Sequence, residues 1–417
     1  MFSAIFSFLS TYVRFRKISL QEPKEQRQEQ QLPFPFFKRN GLNEEDRLAC
    51  QTFAGKRYPE HIIRPIAQQG WCSYSLLISS IPAPSLEPSH QRVDSACDLE
   101  TPIQLDSNHV SGVKVLDIEE DVILQFRPPS YRLDIPIASL AKYVYYSYAP
   151  STSYLGTIPV TNGSQLLIYS QTRIPGEIYA TIHPKTQHLS QAQIALQRSL
   201  ISAFADFLSF GWRYSVVNPE QVGKCDGKVG AIMGEKIAKA RRQLPSAELR
   251  KIASRVLRAL DNGEIQKLPV VLCHGDLIPT NIMVSLTGDG RGWIEGLVDW
   301  AEAEWLPFGT CLYGLEYFLG YYDDTTRSSS GGSWVYYDSA EELREYFWSE
   351  LESMLDIAEE ERDGWRVSVK EARDMGVILW FGYAWDDGKI DRVVDESDVT
   401  EVRCLEAFLR AEESSRI

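Results

Sequence analysis

The segment VVLCHGDLIPTNIMVSL, residues 270–286, places polar side chains between two aliphatic runs that predict strands. Its polar residues include His274, Asp276 and Asn281, and the last two lie five positions apart. A buried polar group costs free energy unless it is hydrogen-bonded, paired or bound to a ligand. The pattern therefore indicates a functional loop between two buried strands.

The chain then folds back as a predicted hairpin. The strand NIMVSL leads through a turn at 288–292 into the strand GWIEGLVDW, which ends at Asp299 and Trp300. Pairing of the strands brings Asn281 and Asp299 to one end, with Asp276 nearby. Their oxygen atoms suit Mg²⁺, and a carboxylate held just off the metal can orient a hydroxyl and accept its proton. This combination predicts phosphoryl transfer. The alternative is a polar turn with an N-capping aspartate.

The sequence HGDLIPTNIMV, followed by IEGLVDWAEAEWLPFG, resembles the aminoglycoside phosphotransferase and choline kinase-like superfamily, and most of all its fungal branch of small-molecule kinase homologues. The match is strong over residues 270–310 and is taken to extend over residues 45–415. The resemblance implies an α+β, bilobal protein kinase-like fold with a small β-rich N-lobe and a larger helical C-lobe. It also implies an ATP-dependent phosphotransferase that acts on a hydroxyl of a small molecule.

The same resemblance assigns roles to the polar residues of the loop and hairpin. Asp276 corresponds to the catalytic base, and His274 to the histidine that supports the catalytic loop. Asn281 and Asp299 correspond to the ligands of Mg²⁺, which bridges the phosphates of ATP.

The resemblance also predicts the boundaries of the lobes. Residues 1–39 are an amphipathic segment and a linker, and residues 40–175 form the N-lobe, with an insertion around 81–112. Residues 176–417 form the C-lobe and contain the catalytic hairpin, 270–309.

A loop and a strand of the N-lobe are predicted to hold the phosphates of ATP. Gly70, Ser73 and Ser75 lie in AQQGWCSYSLL, which resembles the phosphate-covering loop, although a glycine in any hairpin turn would look the same. Arg127 ends the strand DVILQFR, where the kinases carry a lysine, and a guanidinium can bind phosphate through two hydrogen bonds. The alternative for Arg127 is an exposed arginine at a strand end.

Four residues are predicted to surround the adenine. The backbone of Thr172 and Ile174, in TRIPG, resembles the hinge that meets the adenine edge. Met283 and Val298, on the two strands of the hairpin, would lie beneath the ring.

Two departures from the kinase pattern leave a second hypothesis open. Arg127 replaces lysine, and the helix PIASLAKYVYYSYA, which should present a glutamate to it, contains no acid. Either Asp134, just before this helix, pairs with Arg127, or Arg127 is held by phosphate alone. The intact base and metal residues favour an active enzyme. The alternative is a nucleotide-binding pseudokinase or scaffold in a metabolic pathway.

The segment AEAEWLPFG bears on the substrate. Glu302 and Glu304 predict attraction of a cationic substrate, and the alternative is a solvated acidic turn. The aromatic residues between 313 and 322 are interpreted as core and pocket wall.

Charge and composition exclude other classes of function. The net charge of −14 over 417 residues argues against a nucleic-acid partner, and no apolar run is long enough to cross a membrane. The seven cysteines form no CxxC pair, which fits a reducing compartment. A cytoplasmic location is predicted. The basic, amphipathic first 20 residues are typical of a mitochondrial presequence or an interfacial anchor, which is the alternative location, but a floppy terminus or a helix packed on the body is favoured over both.

Overall fold

The structure is a computed structural model. It describes most of the chain but not several of the segments predicted from the sequence. The described residues are 35–67, 69–80, 121–287, 292–324, 332–386 and 389–411. The N-terminal amphipathic segment, most of the linker, the insertion around 81–112 and most of the turn at 288–292 lie outside them.

An antiparallel sheet of five strands occupies the N-terminal part. Its strands are β1 (His61–Pro65), β2 (Tyr74–Ser80), β3 (Val122–Arg127), β4 (Thr152–Pro159) and β5 (Gln165–Thr172), in the spatial order β1-β2-β3-β5-β4. The sequence predicts all of these strands except β4. Gly156 has a φ of +125° and interrupts the pairing of β4 with β5. A glycine in this conformation breaks the regular alternation that marks a strand.

Two short helices, α1 (Pro35–Arg39) and α2 (Glu44–Arg57), pack on one face of this sheet. Phe36 and Phe37 of α1 are fully buried there, so the folded part begins before the predicted start at residue 40. The pattern LNEEDRLACQTFAG predicts a helix that ends at Gly55, and this predicted end is wrong. The helix continues to Arg57, and the N–H of Tyr58 donates to the carbonyl of Ala54. Gly55 does not adopt the positive φ that a terminating glycine needs.

Helices dominate the rest of the chain. They are α3 (Ile135–Tyr145), α4 (Tyr179–Ile182), α5 (Gln191–Val217), α6 (Met233–Gln243), α7 (Ala247–Asp261), α8 (Glu316–Leu319), α9 (Ala340–Leu355), α10 (Glu359–Phe381) and α11 (Val399–Ala411). Ser190 caps α5 as predicted, and Gln193 completes a capping box with it. α3 follows the third strand of the sheet, yet Ala141 and Tyr145 pack in the larger, helical core. None of the described helices is both long enough and apolar enough to span a bilayer.

Short strands inside the helical part position the polar loop. β6 (Glu177–Ile178), β8 (Ile282–Val284) and β9 (Ile294–Leu297) form one sheet, and β7 (Val270–Cys273) pairs with β10 (Glu304–Pro307). The predicted hairpin is therefore present. Two further pairs were not predicted, β11 (Gly320–Asp323) with β12 (Ser333–Tyr336) and β13 (Tyr383–Asp386) with β14 (Lys389–Val393).

The pair β13–β14 corrects one prediction. The apolar run VILWFGYAW predicts a helix throughout, but α10 ends at Phe381 and the last residues of the run belong to β13. Hydrophobic periodicity does not distinguish a short buried strand from a helix. At the level of fold class the prediction is confirmed, since a β-rich N-terminal part with its own core precedes a larger helical part.

Candidate active site

His274 fixes the loop between β7 and β8. Its Nε2–H donates to the carbonyl of Val298 at 3.0 Å, and its Nδ1 accepts the backbone N–H of Asp276 at 3.2 Å. These two bonds require the neutral ring. Burial lowers the pKa of His274 to about 4, although Asp299 opposes the shift. His274 therefore acts as a neutral brace between the loop and the end of β9, in keeping with its predicted supporting role.

Two tyrosines, which the sequence did not single out, hold the same loop. The hydroxyl of Tyr145 on α3 donates to the carbonyl of Leu272, and the hydroxyl of Tyr313 accepts the N–H of Leu277 at 3.1 Å. Both tyrosines are buried. Only tertiary structure identifies them, because nothing in their local sequence distinguishes them from core aromatics.

Gly275 allows the loop to pass close to the segment that follows β9. Its φ is +78°, and a Cβ placed there would lie 2.1 Å from the carbonyl oxygen of Glu302. Gly275→Ala should destabilise the protein by more than about 1–2 kcal/mol, the cost of a left-handed conformation alone, and should lower activity by moving the loop. Gly55→Ala is the matched control, since Gly55 is helical with no atom near its Cβ, and it should raise stability by about 0.5–1 kcal/mol. Urea unfolding measures both, and equal effects would refute the steric argument.

Asp276 presents one carboxylate oxygen without a partner. The side-chain amide of Asn281 donates to the carbonyl of Asp276 at 3.0 Å and to its Oδ2 at 2.9 Å. The Oδ1 atom is buried and accepts no hydrogen bond from the described residues. Burial raises the pKa of Asp276 well above its usual range, and the carboxylates of Asp299 and Glu302 raise it further. Such an oxygen is available to a hydroxyl group or a cation.

The hairpin brings Asp299 to the same place. Asn281 directly precedes β8, and its carbonyl accepts the N–H of Val298 at 2.9 Å, so Asp299 follows immediately on the opposite strand. Asp299 has a left-handed backbone, with φ 64° and ψ 61°. Its Oδ1 is buried and accepts no hydrogen bond among the described residues, and it lies 3.5 Å from Nη2 of Arg127.

These oxygens fit the predicted Mg²⁺. Among the described residues no hydrogen-bond donor reaches Oδ1 of Asp299, and Asn281 adds an amide oxygen. The described residues contain no cluster of three or more histidine, cysteine, aspartate or glutamate side chains that could hold a metal. A site with few protein ligands that is completed by phosphate and water is typical of Mg²⁺.

Arg127 is buried at the end of β3, so the alternative of an exposed strand-end arginine is wrong. Its Nε–H donates to Oε1 of Gln125 at 3.0 Å, and Nη1 donates to the carbonyl of Tyr131 at 3.3 Å. Asp134 instead caps α3 by accepting the N–H of Ile137. Both expectations for Arg127, that it pairs with Asp134 or that phosphate alone holds it, are therefore wrong. The carboxylate beside Arg127 is that of Asp299.

The predicted phosphate-covering loop connects β1 to β2. Gly70 is exposed in this loop, whereas Ser73 and Ser75 are buried and their hydroxyls lie 3.2 Å apart. The guanidinium of Arg39 lies 3.6 Å from the ring centroid of Trp71, and its Nη2 donates to the Trp71 carbonyl at 2.7 Å. The loop is thus tied to α1, a contact that the sequence did not predict.

The four predicted adenine residues lie at the junction of the two parts. The N–H of Thr172 donates to the carbonyl of Ser151 at 3.0 Å and is therefore already engaged, and Ile174 is buried. Met283 and Val298 are half-buried on neighbouring strands, and neither belongs to the hydrophobic clusters of the described residues. The structure therefore places them at a partly open surface of the hairpin.

A cleft borders the other side of the loop. It is lined by Gly275, Glu302 and Glu304, and by Lys236 and Trp380 from the surrounding helices. The predicted solvated acidic turn is wrong for Glu302, whose side chain is only 10% exposed. Burial raises the pKa of Glu302 to about 7, and Lys228, at 3.5 Å, opposes the shift. Neither Lys228, in a turn, nor Lys236, on α6, was predicted, because tertiary packing alone brings them to the carboxylates and the cleft.

Comparisons with known proteins agree with the resemblance read from the motifs. Residues 149–310 match the model of the phosphotransferase enzyme family, which confirms that resemblance. No curated protein sequence matches the chain.

Solved structures resemble the chain at low identity. They include the GDP complex of aminoglycoside 2'-phosphotransferase-IIIa, with 11% identity, coverage of 80% of this chain and 91% of that chain, and a TM-score of 0.43. Macrolide 2'-phosphotransferase type I has 11% identity, coverage of 81% and 92%, and a TM-score of 0.42. Choline kinase LicA from Streptococcus pneumoniae has 10% identity, coverage of 88% and 99%, and a TM-score of 0.38.

Proposed function

We propose that the protein transfers the γ-phosphoryl group of ATP to a hydroxyl of a small molecule. The observation that carries the proposal is the meeting of Asp276, Asn281 and Asp299, with two carboxylate oxygens that have no hydrogen-bond partner in the described part of the chain. Phosphoryl transfer needs positioning and charge neutralisation more than covalent chemistry, and these residues supply both.

Each residue has one task in this proposal. Asp276 accepts the hydrogen bond of the substrate hydroxyl through Oδ1 and takes its proton as the hydroxyl attacks, while Asn281 orients the carboxylate through Oδ2. Mg²⁺, held by Asn281 and Asp299, would neutralise the phosphate charge when bound. Arg127, fixed by Gln125, directs its guanidinium toward the phosphates.

The nucleotide would occupy the junction between the sheet and the hairpin. Gly70, Ser73 and Ser75 cover the phosphates, and the backbone of Thr172 and Ile174 meets the adenine edge. Met283 and Val298 support the ring from below.

Asp299→Asn tests the metal assignment. The stabilisation of about 2.7 kcal/mol that Mg-ATP gives at a hundred times its Kd should fall close to zero, because the variant lacks the anionic metal ligand. Thermal unfolding with and without Mg-ATP measures this. The exposed Asp261→Asn is the matched control and should keep the full shift. An undiminished thermal shift in Asp299→Asn would show that Asp299 is not a ligand of the metal.

The pseudokinase alternative is favoured by Arg127 in place of lysine and by the absence of a glutamate partner from α3. The decisive experiment is ADP release with Mg-ATP across hydroxylated compounds, with Asp276→Ala as the blank. Release above the blank supports the enzyme. Nucleotide binding without any release supports the alternative.

A further inference from the structure

The cleft beside the catalytic loop is placed to hold the acceptor substrate. Gly275 forms part of its wall and precedes Asp276 in the chain, and the carboxylate of Glu302, also in the wall, acts electrostatically on that of Asp276, so a bound molecule lies near the proposed base. Apolar side chains contribute much of the remaining wall, among them Leu306, Leu379 and Trp380. A ligand with an apolar body fits such a wall.

The two carboxylates of the cleft already have partners. Glu304 accepts the backbone N–H of Val229 at 3.1 and 3.2 Å and that of Gly230 at 3.0 Å. Glu302 lies 3.5 Å from Nζ of Lys228. A cationic ligand would have to compete with Lys228 for Glu302 and with the backbone N–H groups for Glu304. The acidic residues therefore do not by themselves select a cation.

The cleft also contains a buried cation. Lys236 of α6 is 8% exposed. Its Nζ donates to the carbonyl of Ile390 at 2.8 Å and lies 4.0 Å from the ring centroid of Tyr383. An ammonium has three donors, and neither a carbonyl nor a ring neutralises its charge. The charged groups that act on it are Asp391, which favours the ammonium, and Lys239, which opposes it.

We propose, resting on the phosphotransferase function above, that the acceptor substrate is a hydroxylated molecule with an apolar body and a carboxylate that binds Lys236. The carboxylate accepts a charge-assisted hydrogen bond from Nζ, and the apolar body packs against Trp380 and Leu379. The contrasting hypothesis is a polyamine substrate. Glu302 and Glu304 would favour it if their carboxylates had no partners.

Three related probes distinguish a substrate that carries a carboxylate from a substrate that carries a cation. 3-(4-Hydroxyphenyl)propionate, tyrosol and tyramine share a hydroxyphenylethyl body and end in a carboxylate, a hydroxyl and an ammonium. Calorimetric titration of the full chain, with Mg²⁺ and a non-hydrolysable ATP analogue, should show the carboxylate probe binding about tenfold or more tighter than tyramine, the contribution of one charge-assisted hydrogen bond. Tightest binding of tyramine, or no binding of any probe at millimolar concentration, overturns the proposal.

Variants assign the preference to one side chain. Lys236→Met should remove the advantage of the carboxylate probe, whereas Lys239→Met, three residues later on the same helix, should keep it. Glu302→Gln should leave binding of the carboxylate probe in place, and loss of that binding would contradict the assignment. If Lys236→Met does not fold, the ranking of the three probes by the wild type and the affinities of Lys236→Gln test the assignment instead. Binding that depends on Lys236 without any ADP release would uphold the cleft assignment and refute the kinase proposal.

Discussion

Asp276→Asn should lower kcat by about 10²- to 10⁴-fold, the usual contribution of a positioned general base, while nucleotide affinity changes little. An asparagine has the same shape and can still accept the hydrogen bond from Asn281, which Asp276 now receives at 2.9 Å. It has no basic oxygen at the position of Oδ1, the atom without a hydrogen-bond partner in the described residues. The substitution therefore removes proton acceptance and retains most of the geometry.

Single-turnover kinetics and a thermal shift with Mg-ATP separate these effects. The control is Asp261→Asn, which makes the same chemical change at an exposed position at the end of α7. Its kcat should match that of the wild type. Unchanged kcat in Asp276→Asn would show that Asp276 is not the base, and a lost thermal shift would show that it acts in nucleotide binding instead.

The loop and the hairpin could be predicted because their chemistry is local. Asp276 and Asn281 lie within six consecutive residues, and the pairing of β8 with β9 fixes Asp299 beside them. The same holds for Ser190, where four consecutive residues contain the whole capping box. A contact can be predicted from the sequence where the residues that form it are close in the chain.

Residues that meet through tertiary structure could not be predicted in this way. The contact of Arg127 with Asp299 joins residues far apart in sequence, and the expected partner, Asp134, is used as a helix cap. Lys236 reaches the cleft only because α6 packs beside β14, whose Ile390 accepts its hydrogen bond. The irregular strand β4 and the paired strands near the C-terminus escaped detection because their short segments carry no distinctive period.

A buried charge cluster around Glu316 stabilises the helical part. Its carboxylate accepts hydrogen bonds from Arg344 at 2.8 and 2.9 Å, from Arg373 and, at 2.7 Å, from the hydroxyl of Tyr336. Glu316, Arg344 and Arg373 are each at most 2% exposed. Arg373 also donates to Oδ1 of Asp374 at 2.7 Å. The cluster thus joins α8, α9 and α10, and α10 also lines the cleft through Leu379 and Trp380.

Glu316→Gln should lower the free energy of unfolding by about 3–5 kcal/mol, because it removes the negative charge that both buried guanidinium groups contact. Urea unfolding at neutral pH measures the change. The matched control is Glu342→Gln, which breaks an exposed pair with Arg198. Its effect should stay within about 0–1 kcal/mol. Equal losses in the two variants would contradict the argument from burial.

The pH dependence of stability provides an independent test of the same cluster. Burial would raise the pKa of Glu316, but Arg344 and Arg373 outweigh burial and hold the pKa at about 2, against an ordinary value of 4.5. A depressed carboxyl pKa contributes stability that is fully present above the unfolded-state pKa and is lost as the pH falls through the folded-state value. The wild type should therefore lose this contribution between pH 4.5 and 2. In Glu316→Gln that part of the acid dependence should be absent, so the two unfolding free energies should converge as the pH is lowered through this window. A constant difference between them across the window would mean that the charge of Glu316 is not what stabilises the cluster.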